Sequence, residues 1–228
     1  MLADIRLRHA LFAIVCASLL NVGVVAQRPA LEARFIGNMS FAITDGATTL
    51  MTDFPYESGY SRYMTYTASE IRSSTTTTLS LITHRHRDHW EPSLFLKTNW
   101  KVAGPKDVTA SLPADRVVPV MPRFTFAALT IEALETPHAG IGHYSYIVTW
   151  HGRRMYFSGD TDSAESLLAA RGLDVAFVSP WQYRTALGKG GRIDAKHVVI
   201  YHHQSGEQVA ECAAGCTQPQ QGQTIRID

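Results

Sequence analysis

An apolar segment that runs directly into a cluster of histidine and aspartate side chains constrains this chain more than any other feature. Residues 79–83 (LSLIT) have the pattern of a buried strand, and the next six residues read HRHRDH. Residues two positions apart in an extended backbone point to the same side, so we expect His84 and His86 to share one side. Asp88 and His89 follow where the chain turns toward the next predicted helix. The pattern therefore predicts that four donor side chains converge at one strand end.

The residue types in this cluster are those of a metal site. Neutral imidazoles and a carboxylate suit zinc and related first-row divalent ions, and two sets of donors could serve two ions. The alternative is a solvated charged loop, which Arg85 and Arg87 favour. Because four ligand-type residues follow an apolar strand directly, we prefer the metal site.

The rest of the sequence is rich in short strands. Alternation and turn residues predict strands at Leu31–Gly37, Ser40–Thr44 and residues 48–53, with a hairpin turn at Asp45-Gly46. Further strands are predicted at residues 100–103, 116–120, 124–126, 129–135, 143–150, 153–158, 174–179 and 197–201. Helices are predicted at residues 89–97, 163–171 and 206–215. This order of elements indicates a layered α/β or α+β domain.

The HRHRDH segment resembles the His-x-His-x-Asp-His motif of the metallo-β-lactamase-fold superfamily of metal-dependent hydrolases. The resemblance continues with His138 after a predicted strand, with Asp160 in the SGDT segment, and with a late strand that ends in VVIYHH. Alignment with branches that read Ile-Pro-x-His puts the last ligand at His203. His202 remains the alternative, because strand alternation alone does not tell which of the two faces the metals.

This resemblance implies a fold and a reaction. The fold would be an α/β four-layer αββα sandwich that binds two divalent metal ions in a groove at the sheet edges, most simply Zn²⁺, with Mn²⁺ or Fe as alternatives. The implied ligands are His84, His86 and His138 for one ion, Asp88, His89 and His203 for the other, and Asp160 between them. Hydroxide held by the two metals would attack an ester, lactone, amide or phosphoester bond of a small substrate, with Asp88 as catalytic proton acceptor.

Asp160 also bears on the kind of hydrolase. True metallo-β-lactamases generally carry Cys or Ser where this sequence has the Gly-Asp-Thr aspartate, so the resemblance favours the lactonase-like branch over a β-lactamase. A non-catalytic metal-binding module on the same fold is the other alternative. The complete set of seven ligand positions favours an enzyme.

Several residues outside this set are candidates for supporting roles. Asp53 ends a predicted strand, and we expect it to orient the histidine loop rather than to bind metal. His143 is a candidate for substrate binding or for positioning a ligand, with packing as the simpler interpretation. Five aromatic residues that follow predicted strands could line a pocket, with core or surface packing as the simpler interpretation for each: Trp181, Tyr183, Tyr56, Tyr60 and Tyr63.

The first 26 residues have the layout of a secretory signal. Arg6 and Arg8 precede an apolar stretch that ends in Val-Val-Ala, and the alternatives are an uncleaved anchor or a lipoprotein. Cleavage would leave a domain of residues 27–228 with 19 basic and 19 acidic residues. We therefore expect a periplasmic or secreted protein with no stable membrane association. A neutral chain lacks a basic track for nucleic acid, so a small molecule is the expected partner.

The two cysteines that would remain after cleavage are Cys212 and Cys216. Disulfides persist in oxidising compartments, so a bridge between them is compatible with export. A lone Cys-x3-Cys pair is a weak zinc signature.

Overall fold

The structure is a computed structural model that describes residues 29–210, 212 and 216–228. The predicted signal segment, residues 1–26, lies outside the described residues. Within the described part of the chain, no helix is both long enough and apolar enough to span a bilayer.

The described part of the chain is built mainly from short strands, with four short α-helices. The strands are β1 (Leu31–Gly37), β2 (Ser40–Thr44), β3 (Thr48–Thr52), β4 (Thr77–Leu81), β5 (Lys101–Ala103), β6 (Arg123–Phe126), β7 (Leu129–Glu135), β8 (Tyr144–Trp150), β9 (Arg153–Phe157), β10 (Leu173–Val178), β11 (Ala195–Ile200), β12 (Cys216–Thr217) and β13 (Thr224–Ile227). The α-helices are α1 (Pro92–Phe95), α2 (Lys106–Thr109), α3 (Glu165–Ala169) and α4 (Pro180–Gly188), and 3-10 turns lie at Tyr60–Arg62, Ala68–Glu70 and Ala114–Arg116.

These strands form two mixed sheets. The first has the order β13-β1-β2-β3-β4-β5 and the second the order β12-β11-β10-β9-β8-β7-β6. In the first sheet, β3, β4 and β5 run parallel. In the second, β9, β10, β11 and β12 run parallel, and β7 has the same direction as β9 because both are antiparallel to β8.

The main core lies between the two sheets. Phe41 of the first sheet contacts Phe177 of the second, with ring centroids 4.8 Å apart, and Phe177 stacks on Phe157 at 4.8 Å. All three are buried, and complete burial of such a side chain contributes about 1.5–3 kcal/mol. These aromatic contacts hold the two sheets face to face.

The helices cover the outer faces of both sheets. On the first sheet, Phe95 of α1 and Val108 of α2 pack in a cluster with Ile82. On the second sheet, Leu167 of α3 and Ala186 of α4 pack in another cluster. The arrangement is the expected αββα sandwich.

Strand β10 shows why the sandwich forms from this sequence. Its Val175 and Phe177 belong to the core between the sheets, whereas Ala176 and Val178 belong to the outer cluster under the helices. Successive side chains of a strand point to opposite faces, so a strand covered on both faces needs a continuous apolar run.

Two predicted elements are wrong. Residues 116–120 form only a bridge between Val117 and Val102, because the partner strand β5 ends one residue later, at Ala103. Residues 206–210 form no helix. There the N–H of Val209 donates to Oε1 of Gln218 at 2.8 Å. The last five residues of that predicted helix are described only at Cys212.

Two other helices differ from expectation. Helix α1 is shorter than predicted, because the N–H groups of His89 and Trp90 donate to the carbonyl of His86 in a separate turn. Helix α4 was not predicted, although the sequence carries its start signals. Ser179 is the N-cap, its side chain accepts a hydrogen bond from the N–H of Gln182, and Pro180 occupies the first turn.

Cys212 and Cys216 form a disulfide, with Cα atoms 5.3 Å apart. The bridge links Cys212 to the first residue of β12.

Candidate metal centre

The ends of four strands place the candidate ligands at one edge of the sandwich. The HRHRDH segment follows β4, His138 follows β7, Asp160 follows β9, and His202 follows β11. Because β7, β9 and β11 run in the same direction, their carboxyl ends meet at one sheet edge. That edge is where ligands commonly bind in layered α/β folds.

The first cluster contains three histidines. Nε2 of His84 lies 3.0 Å from Nδ1 of His86, which lies 3.3 Å from Nε2 of His138. One carboxylate oxygen of Asp160, Oδ2, lies 3.9 Å from Nε2 of His84 and 4.0 Å from Nε2 of His138. These four residues can offer one donor atom each to a single ion.

The second cluster contains two histidines and two aspartates. Nε2 of His89 and Nε2 of His202 are 3.3 Å apart, and each lies 3.2 Å from Oδ1 of Asp160. Oδ2 of Asp88 lies 3.5 Å from Nε2 of His202 and 3.8 Å from Nε2 of His89. Asp160 therefore presents a different oxygen to each cluster.

The geometry of these donors fits two divalent cations. Oδ1 of Asp160 is buried yet accepts no hydrogen bond of good geometry, although two imidazole nitrogens face it. A buried carboxylate oxygen that accepts no well-aligned hydrogen bond is costly, and a cation between these donors would satisfy it. The set consists of nitrogen and oxygen donors without cysteine, which suits Zn²⁺, Mn²⁺ and Fe.

In the metal-free protein, opposite charges inside the second cluster stabilise each other. Burial raises the pKa of Asp160, but His202 and His89 hold it well below its usual value. Burial lowers the pKa of His89, but the carboxylates of Asp160 and Asp53 raise it well above the usual value. Protons therefore occupy this cluster when metal is absent, and metal binding must displace them.

Asp53 supports the site from behind, as the sequence suggested. Its Oδ1 accepts a hydrogen bond from the N–H of Thr83 at 2.7 Å, and its Oδ2 lies 3.1 Å from Nδ1 of His89. The hydroxyl of Thr83 also lies 2.9 Å from Oδ2 of Asp53 and 3.0 Å from Nδ1 of His84. Since that hydroxyl has one proton and the carboxylate only accepts, Nδ1 of His84 must donate. His84 thus turns an unprotonated Nε2 toward the first cluster.

The structure corrects one of the seven sequence-predicted positions. His202, not His203, joins the second cluster. The nitrogens of His203 instead face the carbonyls of Gln204 and Pro219, each at 3.1 Å. Strand β11 ends at Ile200, and His202 takes a left-handed conformation with φ 56°. This turn directs the first of the two histidines toward the second cluster.

The sequence-based reasoning missed Asn38, which is fully buried between β1 and β2. Its carbonyl accepts a hydrogen bond from the N–H of His202 at 2.7 Å, and its side-chain amide donates to the carbonyl of Asp88. Asn38 therefore fixes the backbone of two residues of the second cluster. The local sequence signal is the Gly37-Asn38 pair between two predicted strands, because Asn tolerates the left-handed conformation that Asn38 adopts, with φ 55°.

A cavity of about 610 Å³ adjoins the clusters. It is lined by Pro137, Gly140, Asp162 and Trp181 and by two of the candidate ligands, His138 and Asp160. Nε1 of Trp181 donates to the carbonyl of Asp160 at 3.0 Å, and its ring lies edge-on to His202 at 4.8 Å. Tyr63 also lies edge-on to His202, at 4.6 Å. The two aromatic residues therefore flank the last candidate ligand.

The solved structures that resemble this chain share its fold. A metallo-hydrolase from the archaeon Ignicoccus hospitalis superposes with a TM-score of 0.64 at 15% identity, covering 87% of this chain and 99% of that one. The metallo-β-lactamase-fold protein YhfI from Bacillus subtilis gives 0.62 at 12% identity, covering 86% and 99%. A diphosphatase of the PhnP family gives 0.53 at 12% identity, covering 86% and 97%.

Among curated proteins, none matches the sequence. The profile of the beta-lactamase superfamily domain, however, matches residues 68–220. This stretch contains all seven candidate ligands predicted from the sequence, as well as His202 and the four α-helices of the described part of the chain. The chain belongs to the beta-lactamase superfamily of metal-dependent hydrolases and has its metallo-β-lactamase fold.

Proposed function

We propose that this protein hydrolyses an ester, lactone or amide bond of a small, uncharged substrate with two divalent metal ions. The observation that carries the proposal is the position of Asp160, whose Oδ2 faces His84 and His138 and whose Oδ1 faces His89 and His202. A carboxylate placed in this way can bridge two ions, with His84, His86 and His138 on one side and Asp88, His89 and His202 on the other.

Two divalent ions bound there would lower the pKa of water and polarise the oxygen of the bond to be cleaved. Asp88 is placed to accept a proton in this reaction. Burial raises the pKa of its carboxyl group, but His202 and His89 lower it below the usual value, so the group is ionised at neutral pH. The reaction needs no nucleophilic side chain and no covalent intermediate.

The charges around the cavity favour a carbonyl substrate over a phosphoester. The acidic Asp162 lines the cavity, and no lysine or arginine does so among the described residues. The two arginines of the histidine loop pair with acidic residues instead. Nε of Arg85 lies 3.0 Å from Asp107, and Nε of Arg87 lies 2.5 Å from Glu57. Among the described residues, a substrate phosphate in this cavity would therefore meet no lysine or arginine, and only bound metal ions would offset its charge.

The same features bear on the alternatives. The PhnP-family diphosphatase has a similar fold, so a phosphoester substrate belongs in any test of this proposal. A β-lactam is disfavoured by the aspartate at position 160, and a non-catalytic module by the intact pair of donor clusters.

Export remains part of the proposal. The Cys212–Cys216 disulfide supports a location in an oxidising compartment, such as the periplasm or the medium, after cleavage of residues 1–26. A neutral small molecule is the partner we propose, with no nucleic acid.

The test is a substrate screen on protein of known metal content. Protein stripped with a chelator and reloaded with Zn²⁺, Mn²⁺ or Fe²⁺ is assayed against a lactone, an aryl ester, a thioester, a β-lactam and a phosphodiester. We expect about two ions per chain and preferential hydrolysis of the lactone or ester. Preferential phosphodiester cleavage would contradict the substrate class, and full metal loading without any hydrolysis would favour the binding module.

A further inference from the structure

His143 lies against the metal centre without joining either donor cluster. It immediately precedes β8 and is 2% exposed. Its ring centroid is 5.1 Å from that of His84 and 5.2 Å from that of His138. Both of its nitrogens, however, bond to the protein itself, so neither is free to bind a metal.

The partners of the two nitrogens fix where the proton of His143 resides. Nε2 lies 2.9 Å from the main-chain N–H of Asp160, which can only donate, so Nε2 is unprotonated. A neutral ring then carries its proton on Nδ1, which lies 2.8 Å from the hydroxyl of Thr136. Thr136 accepts from Nδ1, which leaves its own proton for Oγ of Ser145 at 3.2 Å. Ser145 in turn donates to the carbonyl of Ser158 at 2.7 Å.

The backbone next to Asp160 is shaped for this contact. A Cβ at Gly159 would lie 2.4 Å from Nε2 of His143, well inside van der Waals contact, and Gly159 has φ +60°. Only glycine therefore allows the ring to reach the neighbouring amide. On the other side, the N–H of Gly159 donates to the hydroxyl of Tyr201 at 3.1 Å. The segment that carries Asp160 is thus held at two successive amides.

We propose that His143 is the positioning residue of Asp160. This inference rests on the proposed function, in which Asp160 bridges the two ions. His143 holds the Asp160 backbone with an unprotonated Nε2, and the Thr136 hydroxyl holds the ring in that tautomer. The carboxylate is thereby fixed with one oxygen toward each cluster before any metal binds.

The first test needs neither metal nor substrate. Nitrogen-15 NMR of the imidazole rings in the metal-free protein identifies the His143 tautomer. We expect a protonated Nδ1, an unprotonated Nε2 and a slowly exchanging Asp160 amide proton. A protonated Nε2 on His143 would overturn the proposal.

The second test measures Zn²⁺ binding by variants. His143→Phe keeps a planar ring and removes the acceptor, and we expect Zn²⁺ affinity to fall about 10- to 100-fold, as is typical when a residue that orients a metal ligand is lost. His143→Gln can place a carbonyl oxygen near the Asp160 amide, so it should recover part of that loss. Wild-type affinity in His143→Phe would contradict the positioning role.

A matched control separates positioning from stability. Val148, farther along β8, is fully buried in the core between the sheets. Val148→Ala should lower the melting temperature of the metal-free protein and leave Zn²⁺ affinity unchanged. An equal loss of Zn²⁺ affinity in Val148→Ala would refute a specific role for His143. Failure of the proposed function would look different, as normal Zn²⁺ binding without hydrolysis.

Discussion

Oδ2 of Asp53 lies 3.1 Å from Nδ1 of His89, while Nε2 of the same ring lies 3.2 Å from Oδ1 of Asp160. The imidazole of His89 is therefore held between two carboxylates. Asp53 lies outside the donor clusters, and Asp160 belongs to both of them. The carboxylate of Asp53 fixes the ring orientation and increases the basicity of the nitrogen that faces Asp160.

Replacing Asp53 by Asn should weaken metal binding without removing a ligand. Asn keeps an oxygen for the N–H of Thr83 but removes the charge that faces His89. We expect Zn²⁺ affinity to fall about 10- to 100-fold, measured by competition with a chromogenic chelator. Asp228→Asn, at the exposed end of the chain, is the control and should bind Zn²⁺ normally. Unchanged affinity in Asp53→Asn would show that this contact does not orient His89.

Replacing Asp160 by Ala should abolish the paired site. The substitution removes the only carboxylate shared by both clusters and leaves the imidazoles of the two clusters without a common counter-charge. We expect metal content, measured by inductively coupled plasma mass spectrometry, to fall from about two ions per chain to one or none, with loss of hydrolysis. Two retained ions in this variant would contradict the bridging assignment.

The two adjacent histidines should respond differently to truncation. His202→Ala removes a nitrogen from the second cluster, whereas His203→Ala removes contacts to two carbonyls and packing at 5.6 Å on Phe35. We expect loss of about one ion in His202→Ala and full metal content in His203→Ala. The latter should show only reduced stability, of about 1–3 kcal/mol in urea unfolding. The reverse pattern of metal loss would return the ligand assignment to His203.

Asp45 should make stability depend on pH far from the metal centre. Burial raises the pKa of its carboxyl group, but hydrogen bonds from the N–H of Thr48, from His151 and from the N–H of Ala47 hold it below its usual value. A carboxyl with a depressed pKa stabilises the fold above its unfolded-state pKa of about 4, and this contribution disappears as pH falls through the folded-state pKa.

We therefore expect Asp45→Asn to be about 1–2 kcal/mol less stable than wild type at pH 7, by urea unfolding of the metal-free protein. The difference should shrink below about pH 4. It reflects a link between the two sheets, since Asp45 lies in the β2–β3 turn and His151 in the β8–β9 turn, 2.7 Å apart. A difference that does not change with pH would show that the charge of Asp45 does not contribute.

Much of the fold could be predicted from local patterns. Strands β1, β2 and β7 begin and end where alternation and turn residues predict. Local patterns failed where segments distant in sequence decide the structure. The N–H of Val209 donates to Gln218 in a stretch that forms no helix, and the strand next to residues 116–120 ends at Ala103.

The sequence by itself determined that His84, His86, Asp88 and His89 converge, because one strand end and one turn carry all four. Tertiary structure alone decided which late histidine completes the second cluster. The carbonyl of Asn38, on a hairpin distant in sequence, holds His202 in a left-handed turn, and no strand pattern encodes that contact. The role of His143 likewise depends on its contact with the Asp160 amide and on the space above Gly159. Both arise only when β7, β8 and β9 have paired.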